Sequence, residues 1–389
     1  MKYDTLVIHN PHAETEAGHL KDAFGAVVPP VYLSTTYAQS GLGDYQRYMY
    51  IRGGNPTRNA LEGLVARLEE ARYGFAFSSG MAATGAVFNL FSAGDTVLLN
   101  NNVYGGTFRY VSKLFQRRNL GYRLVDNFNT LDFAALTPDV KAVFIETPSN
   151  PLLQVTDIRR VADAAHKKGI TVIIDNTFMT SYFQKPLQLG ADIVVYSATK
   201  YYSGHSDILA GLVIVNDAGL AEQFKFLQNT LGSGLSPQDS YMLQRSIKTL
   251  ALRLDRHEKN TNTVVAYLQA HPKAARVFYP TVHDEERRIQ ASQSTGNGAV
   301  LSLVLSEDCD PAKFIAALSL FDLAVSLGSV ESLVCHPASM THESFPADLQ
   351  KKVGIEANLI RLSIGIENID DLIADLAQGL AAAVKKGGP

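Results

Sequence analysis

The sequence predicts an α/β protein with a mainly parallel central sheet and a smaller C-terminal α/β domain. Three observations carry this. Short apolar runs recur at residues 96–99, 122–125, 142–145, 171–174, 193–196 and 211–215, with helical patterns between them. The runs are continuously apolar rather than alternating, as in strands covered by helices on both faces. After a helical connection around residues 237–260 the pattern restarts on a smaller scale, with strand candidates at 299–305 and 359–366 and helix candidates at 311–319 and 370–384.

Taken in order, residues 1–52 read as an extended N-terminal arm, poor in helix-period patterns and rich in tyrosine, proline and glycine. A large domain over residues 53–247 follows. Asn55-Pro56-Thr57 opens its first helix, because asparagine supplies an N-cap and proline suits the first helical position, where its missing N–H costs nothing. Leu61, Leu64, Val65 and Leu68 then recur at amphipathic spacing. The run Phe75-Ala-Phe77 leads through Ser78-Ser79-Gly80-Met81 into a helix-like stretch at 82–88. Further on, Thr156 or Asp157 caps a helix whose apolar stripe is Ile158, Val161, Ala162 and Ala165, and Gly169 ends it. Residues 248–389 form the C-terminal domain. In its strand at 359–366, Ile360, Leu362, Ile364 and Ile366 share one face, which puts Arg361 and Ser363 on the opposite, polar one.

A chain of 389 residues is long enough to bury a large core. Its net charge of -3, without a dense lysine and arginine run, argues against a nucleic-acid partner. Cys309 and Cys335, the two cysteines, have neither metal-ligand spacing nor a disulfide framework, so no metal is expected and a reducing compartment is. The first ten residues lack the apolar core of a secretory signal, and no apolar stretch approaches the roughly 18 to 20 residues of a membrane span. The expectation is a cytoplasmic protein acting on a small molecule.

In open parallel sheets ligands collect beyond the carboxyl ends of the strands, and two such ends carry reactive residues. Lys200 follows the run at 193–196 beside the hydroxyls of Ser197 and Thr199, and Asp175 ends the run at 171–174. Lysine is the natural Schiff-base nucleophile towards an aldehyde, because desolvation and nearby cations lower its pKa from about 10.4 until the free amine is accessible near neutral pH. The aldehyde cofactor that carries a phosphate is pyridoxal phosphate. The Asp175 carboxylate would keep its pyridine nitrogen protonated, so that the ring accepts electrons from the substrate α-carbon. Backbone N–H groups at Ser79-Gly80-Met81, with the positive end of the following helix, suit the phosphate. If residues 48–52 are extended, Tyr50 and Arg52 share a side, and Arg52 can take phosphate oxygens bidentately. Tyr104, with Gly105 and Gly106 behind it, can lay its ring flat on a cofactor. A guanidinium at Arg361 suits an amino-acid α-carboxylate. Neither G-x-G-x-x-G nor G-x-x-x-x-G-K-[ST] occurs, which argues against dinucleotide or nucleoside-triphosphate chemistry.

Together these pieces resemble, over nearly the whole chain, the cysteine and methionine metabolism family of pyridoxal-phosphate enzymes, which includes cystathionine γ-synthase, the cystathionine β- and γ-lyases and methionine γ-lyase. The matching motifs are Tyr50-x-Arg52-x-Gly-Asn-Pro-Thr57, Ser79-Gly80-Met81, Tyr104-Gly-Gly106, Glu146-Thr-Pro-Ser-Asn-Pro151, Asp175-Asn-Thr-Phe178, Ser197-Ala-Thr-Lys200, Ser326-Leu-Gly-Ser-Val-Glu-Ser332 and Arg361-Leu-Ser363. The resemblance implies the transferase-like fold type I and a homotetramer of two tight dimers, with Tyr50 and Arg52 of the arm lent to the neighbouring subunit's site. It also implies Lys200 as the cofactor lysine, Asp175 at the ring nitrogen, and Gly80, Met81, Ser197 and Thr199 at the phosphate. Tyr104 becomes the stacking tyrosine that helps with proton transfer. Arg361, Ser326 and Asn150 hold the substrate carboxylate, and Glu331 and Arg109 lie near the distal part of a long substrate.

The implied activity is a carbon–sulfur lyase of trans-sulfuration acting on L-cystathionine by γ- or β-elimination. Cystathionine γ-synthase, joining an O-acylhomoserine and cysteine, is one alternative, and a pyridoxal-phosphate-binding regulatory protein with little turnover is another. Methionine γ-lyases usually carry a cysteine where this chain has Gly106, which speaks against that branch. Ser236-Pro-Gln-Asp-Ser240 resembles bacterial cystathionine lyases, whereas residues 27–31 and 355–380 also resemble cystathionine γ-synthase.

Overall fold

The computed structural model describes residues 1–9 and 26–385. Residues 10–25 of the expected arm and 386–389 of the expected C-terminal domain lie outside the described residues.

Seven strands build the larger sheet: β1 (Tyr73–Phe77), β2 (Thr96–Asn100), β3 (Gly121–Val125), β4 (Val140–Glu146), β5 (Thr171–Asp175), β6 (Ile193–Ser197) and β7 (Gly211–Val215), in the order β1-β7-β6-β5-β4-β2-β3. Strands β2 to β6 run parallel, and β7 is antiparallel to both of its neighbours. Every apolar run read as a strand is one, and the run at Phe75 adds β1 at an edge. The expected alternation with helices breaks at two places, between β3 and β4, which only short 3-10 turns at Phe128–Thr130 and Phe133–Ala135 connect, and between β6 and β7. An antiparallel neighbour needs no crossover helix, so residues 198–210 form a loop instead, and Lys200 sits in it.

The helices along this part of the chain include α1 (Tyr3–Ile8), α2 (Pro56–Leu68), α3 (Gly80–Phe88), α4 (Gly105–Tyr110) and α5 (Ile158–His166). Helix α2 starts as expected, with Asn55 Oδ1 accepting the N–H groups of Thr57 and Arg58 at 2.9 and 3.2 Å. Asp157, rather than Thr156, caps α5 by accepting the Arg160 N–H at 3.0 Å. Helix α1 contradicts the extended reading of the arm. Its Val7 is buried in one core with Leu61 and Leu64 of α2, so tertiary packing makes a helix where local pattern is weak. Tyr50 pairs with Thr36 in an antiparallel bridge, but the chain turns at residues 51–53, where Gly53 N–H donates to the Tyr50 carbonyl at 3.1 Å, so the extended piece ends before Arg52.

The smaller sheet comprises β8 (Ala274–Phe278), β9 (Val300–Leu305), β10 (Asp322–Leu323), β11 (Leu333–Cys335) and β12 (Leu359–Ser363), in the order β10-β11-β12-β9-β8. Strand β12 is shorter than expected and leaves Ile366 outside it. Ile360, Leu362 and Ile364 pack with Leu372, Leu376 and Leu380 of the helix Ile369–Ala382. Arg361 and Ser363 are buried too. Their polar face is turned to the larger sheet rather than to water, as Arg361 reaches Asn150 beyond β4.

Candidate active site

The order of the larger sheet reverses between β2 and β4, since β3 lies outside β2 while β5 and β6 continue on the other side. Crevices at such switch points, beyond the strands' carboxyl ends, bind ligands. A cavity of about 460 Å³ opens there.

Lys200 stands in the loop after β6, and its Nζ donates to Ser326 Oγ at 2.7 Å. Burial, and then the Arg361 charge, push its pKa down to about 8. Ser326 takes φ 93°, a conformation that L-residues rarely adopt and that costs of order 1–3 kcal/mol. Arg361 helps to hold it there, since its Nη2 donates to the Ser326 carbonyl at 2.6 Å while Nη1 donates to Asn150 Oδ1 at 3.0 Å. The remaining Arg361 donor, Nε, is buried without a partner.

On the opposite wall, Asp175 Oδ1 accepts the Thr177 N–H at 3.0 Å, and Thr177 Oγ1 accepts the Ser197 N–H at 2.8 Å, which pins the ends of β5 and β6 together. Burial raises the Asp175 carboxyl above its ordinary range, and its bonds from Thr177 oppose that. Gly80 opens α3 against Ser197, where a Cβ on the glycine would lie 2.8 Å from Ser197 Cβ. Ser79 Oγ accepts the Ala82 N–H at 3.0 Å. That leaves the Gly80 and Met81 N–H groups of the first turn without an intrahelical acceptor. Thr199 closes the base of the loop, exchanging hydrogen bonds with Ala210 N and O at 3.0 and 3.2 Å.

Of the residues expected in the site, Gly80, Met81, Tyr104, Arg109, Asn150, Asp175, Ser197, Thr199, Lys200, Ser326 and Arg361 line the one cavity. Tyr50, Arg52 and Glu331 do not. The Arg52 guanidinium lies 5.7 Å from the Tyr50 ring centroid and donates to the Asn229 carbonyl at 2.9 Å, and Glu331 bonds Ser206. The cavity also brings in Glu146, Thr177, Met340 and Thr341, to which sequence reasoning gave no role. Glu146 and Thr177 had a usable signal, as polar residues at strand ends inside recognised motifs. Met340 and Thr341 come from a remote loop and had none.

Pyridoxal phosphate fits these residues on three observations. A lysine amine with a depressed pKa faces the cavity, a carboxyl with no ion-pair partner among the described residues lines it too, and the helix start beside Ser197 is closed to any side chain larger than glycine.

The family described as Cys/Met metabolism PLP-dependent enzyme matches residues 4–381. A cystathionine β-lyase of Lactococcus lactis subsp. cremoris is 48% identical over 358 residues, covering 92% of this chain and 94% of its own. A cystathionine γ-lyase of Bacillus subtilis (strain 168) is 44% identical over 382 residues, covering 98% and 99%. Among solved structures, the cystathionine γ-lyase from Lactobacillus plantarum complexed with L-serine superposes with a TM-score of 0.93 at 44% identity, covering 98% of this chain and 99% of that one. The cystathionine γ-synthase from Xanthomonas oryzae pv. oryzae in complex with cystathionine also gives 0.93, at 38% identity and 98% coverage of both chains.

Proposed function

Because this chain belongs to the Cys/Met metabolism family of PLP-dependent enzymes, we propose that it is a carbon–sulfur lyase that splits L-cystathionine into cysteine or homocysteine, a 2-oxo acid and ammonia. Relatives named cystathionine β- and γ-lyase, at 43–48% identity over nearly the whole chain, support the reaction class. The observation that carries the reading is the Lys200 amine, 2.7 Å from Ser326 Oγ, in one cavity with Asp175 and Arg361.

When bound, pyridoxal phosphate supplies an electron sink for the substrate α-carbon. The chain's own residues do the rest. Lys200 holds the cofactor and then moves the α-proton, for which an amine brought down to about 8 is suited just above neutral pH. Asp175 would hold the ring nitrogen, Tyr104 would hold the ring, and Gly80, Met81, Ser197 and Thr199 would hold the phosphate. Arg361 is already oriented by Asn150 and Ser326, so it meets a substrate carboxylate without reorganisation. Arg109 on the cavity rim and Glu331 beyond it take the distal amino-acid end. Tyr50 and Arg52 complete the site of the neighbouring subunit in a homotetramer of two tight dimers. The arm at 1–52, the large domain at 53–247 and the C-terminal domain at 248–389 are the units of that assembly. Among the described residues no helix is long and apolar enough to cross a membrane, in keeping with the cytoplasmic setting proposed for it.

Product analysis on L-cystathionine tests the reading. Cysteine with 2-oxobutanoate means γ-elimination, and homocysteine with pyruvate means β-elimination. Neither pair, together with cystathionine made from an O-acylhomoserine and cysteine, means a synthase, the reading favoured by the likeness to the Xanthomonas oryzae pv. oryzae enzyme. Cofactor absorbance without any turnover would leave only a regulatory binder.

A further inference from the structure

Glu146 has no part in the function proposed for this chain, yet it stands in the middle of the cavity wall. It ends β4, and in the parallel register it is the direct partner of Asp175 at the end of β5. Adjacent strands lie about 5 Å apart, so two carboxyls face one cavity side by side. Neither forms an ion pair among the described residues. Glu146 is 6% exposed. Its Oε1 accepts the Tyr104 N–H at 2.8 Å, and the nearby Asn150 backbone amide favours its charge. Through the Tyr104 amide it holds the loop that carries the aromatic ring.

Two carboxylates this close and withdrawn from water do not both ionise. Asp175 has the Thr177 N–H and side chain favouring its charge. Glu146 is pushed well up, by burial first and by Asp175 second. The other charged and titratable groups of the cavity are Tyr104 on the loop after β2, Arg109 on α4, Lys200 after β6 and Arg361 on β12, with His342 behind Asn150. His342 bonds the Asn150 carbonyl through Nε2 at 3.1 Å, and burial brings it down to about 4, so it stays neutral.

We propose that Glu146 is a positioning residue that works as an uncharged carboxylic acid, anchoring the Tyr104 loop while leaving Asp175 as the one charged carboxylate available to the pyridine nitrogen. This rests on the reading that sets Asp175 against that nitrogen. A neutral acid gives the Tyr104 loop its acceptor without a second negative charge, which would hold the Lys200 amine protonated.

The test compares wild type with Glu146→Gln and with Glu146→Met, which keeps the volume and removes the acceptor. Thermal unfolding of cofactor-stripped protein is followed from pH 5 to pH 8. A carboxyl protonated in the folded chain and ionised in the unfolded one loses stability as pH climbs above the unfolded value of about 4.3. Glutamine and methionine lose none, so the stability of either variant relative to wild type climbs with pH. A flat or falling difference overturns the proposal. With pyridoxal phosphate bound, Glu146→Gln keeps the midpoint of the wild-type absorbance titration. A displacement of about 1 pH unit or more, the effect of removing a neighbouring charge, also overturns it. The circular-dichroism band of the bound cofactor persists in Glu146→Gln and weakens in Glu146→Met; equal bands in the two remove the anchoring role. Asp175→Asn is run beside them. If it leaves the bound cofactor's absorbance unchanged, the ring-nitrogen reading fails, a result separable from the trend in the stripped protein.

Discussion

Gly106 shows how finely single residues set this cavity. A Cβ built on it would lie 2.4 Å from Cε1 of the Tyr104 ring. A cysteine at this position, as expected of methionine γ-lyases, therefore requires the ring to stand elsewhere. Tyr104 is 43% exposed, so it has room to swing away. Gly106→Cys is accordingly expected to leave the melting temperature nearly unchanged while lowering kcat/KM by roughly 10- to 100-fold, the cost of a misplaced catalytic group. A large fall in melting temperature would mean that the strain goes into the backbone instead. Lys200 carries a prediction of the opposite kind. Its folded pKa of about 8 lies below the unfolded value of about 10.4, so the cost of burying its charge is present in full below pH 8 and fades as pH rises towards 10.4. Without cofactor, Lys200→Met should be more stable than wild type at pH 7, with an advantage that shrinks above pH 8. The same variant should lose catalysis by about 10²-fold or more if Lys200 is the base proposed for the α-proton.

Among the elements, β7 and α3 depend on one glycine. Gly211 pairs with Phe77 of β1 and Ser197 of β6, and a Cβ on it would lie 2.1 Å from the Ser79 carbonyl oxygen and 2.9 Å from Gly80 Cα. Backbone cannot step aside as a side chain does. Gly211→Ala should cost about 1–3 kcal/mol of stability and, because the displaced atoms are the start of α3, release pyridoxal phosphate more readily, as read from loss of cofactor absorbance on dilution. Gly63→Ala is the matched control. It lies within α2, meets nothing nearer than Arg67 Nη1 at 3.6 Å, and should gain about 0.5–1 kcal/mol. The strands were legible in the sequence because burial on both faces writes itself as unbroken apolar runs, and the starts of α2 and α5 because caps are local chemistry. Helix α1 was not, since only its packing on α2 makes it helical. The antiparallel turn of β7 was not, since direction leaves no trace in composition. Most cavity residues were legible as polar residues at strand ends. The weight of Glu146 was not, because it lies in the β4–β5 register, which sets it beside a second carboxyl.

At the scale of the whole molecule, the proposed assembly gives Tyr50 and Arg52 a role that their own cavity, which they do not line, leaves open. Both lie on a segment that turns away from the chain's own cavity and exposes Val27, Leu33, Leu42, Tyr45 and Met49. Exposed apolar side chains suit a surface that another chain covers when they form one patch. If the arm serves a neighbour's cavity, each site takes Lys200 from one subunit and Arg52 from the other. Lys200→Ala and Arg52→Ala subunits, each poorly active alone, can then be unfolded together and reassembled. Half of the dimers are mixed, and in each of these one site carries both defects and the other carries none. Activity should return to about a quarter of the wild-type level. If Arg52 instead serves its own subunit, every site in every mixture lacks one residue or the other, and mixing restores nothing.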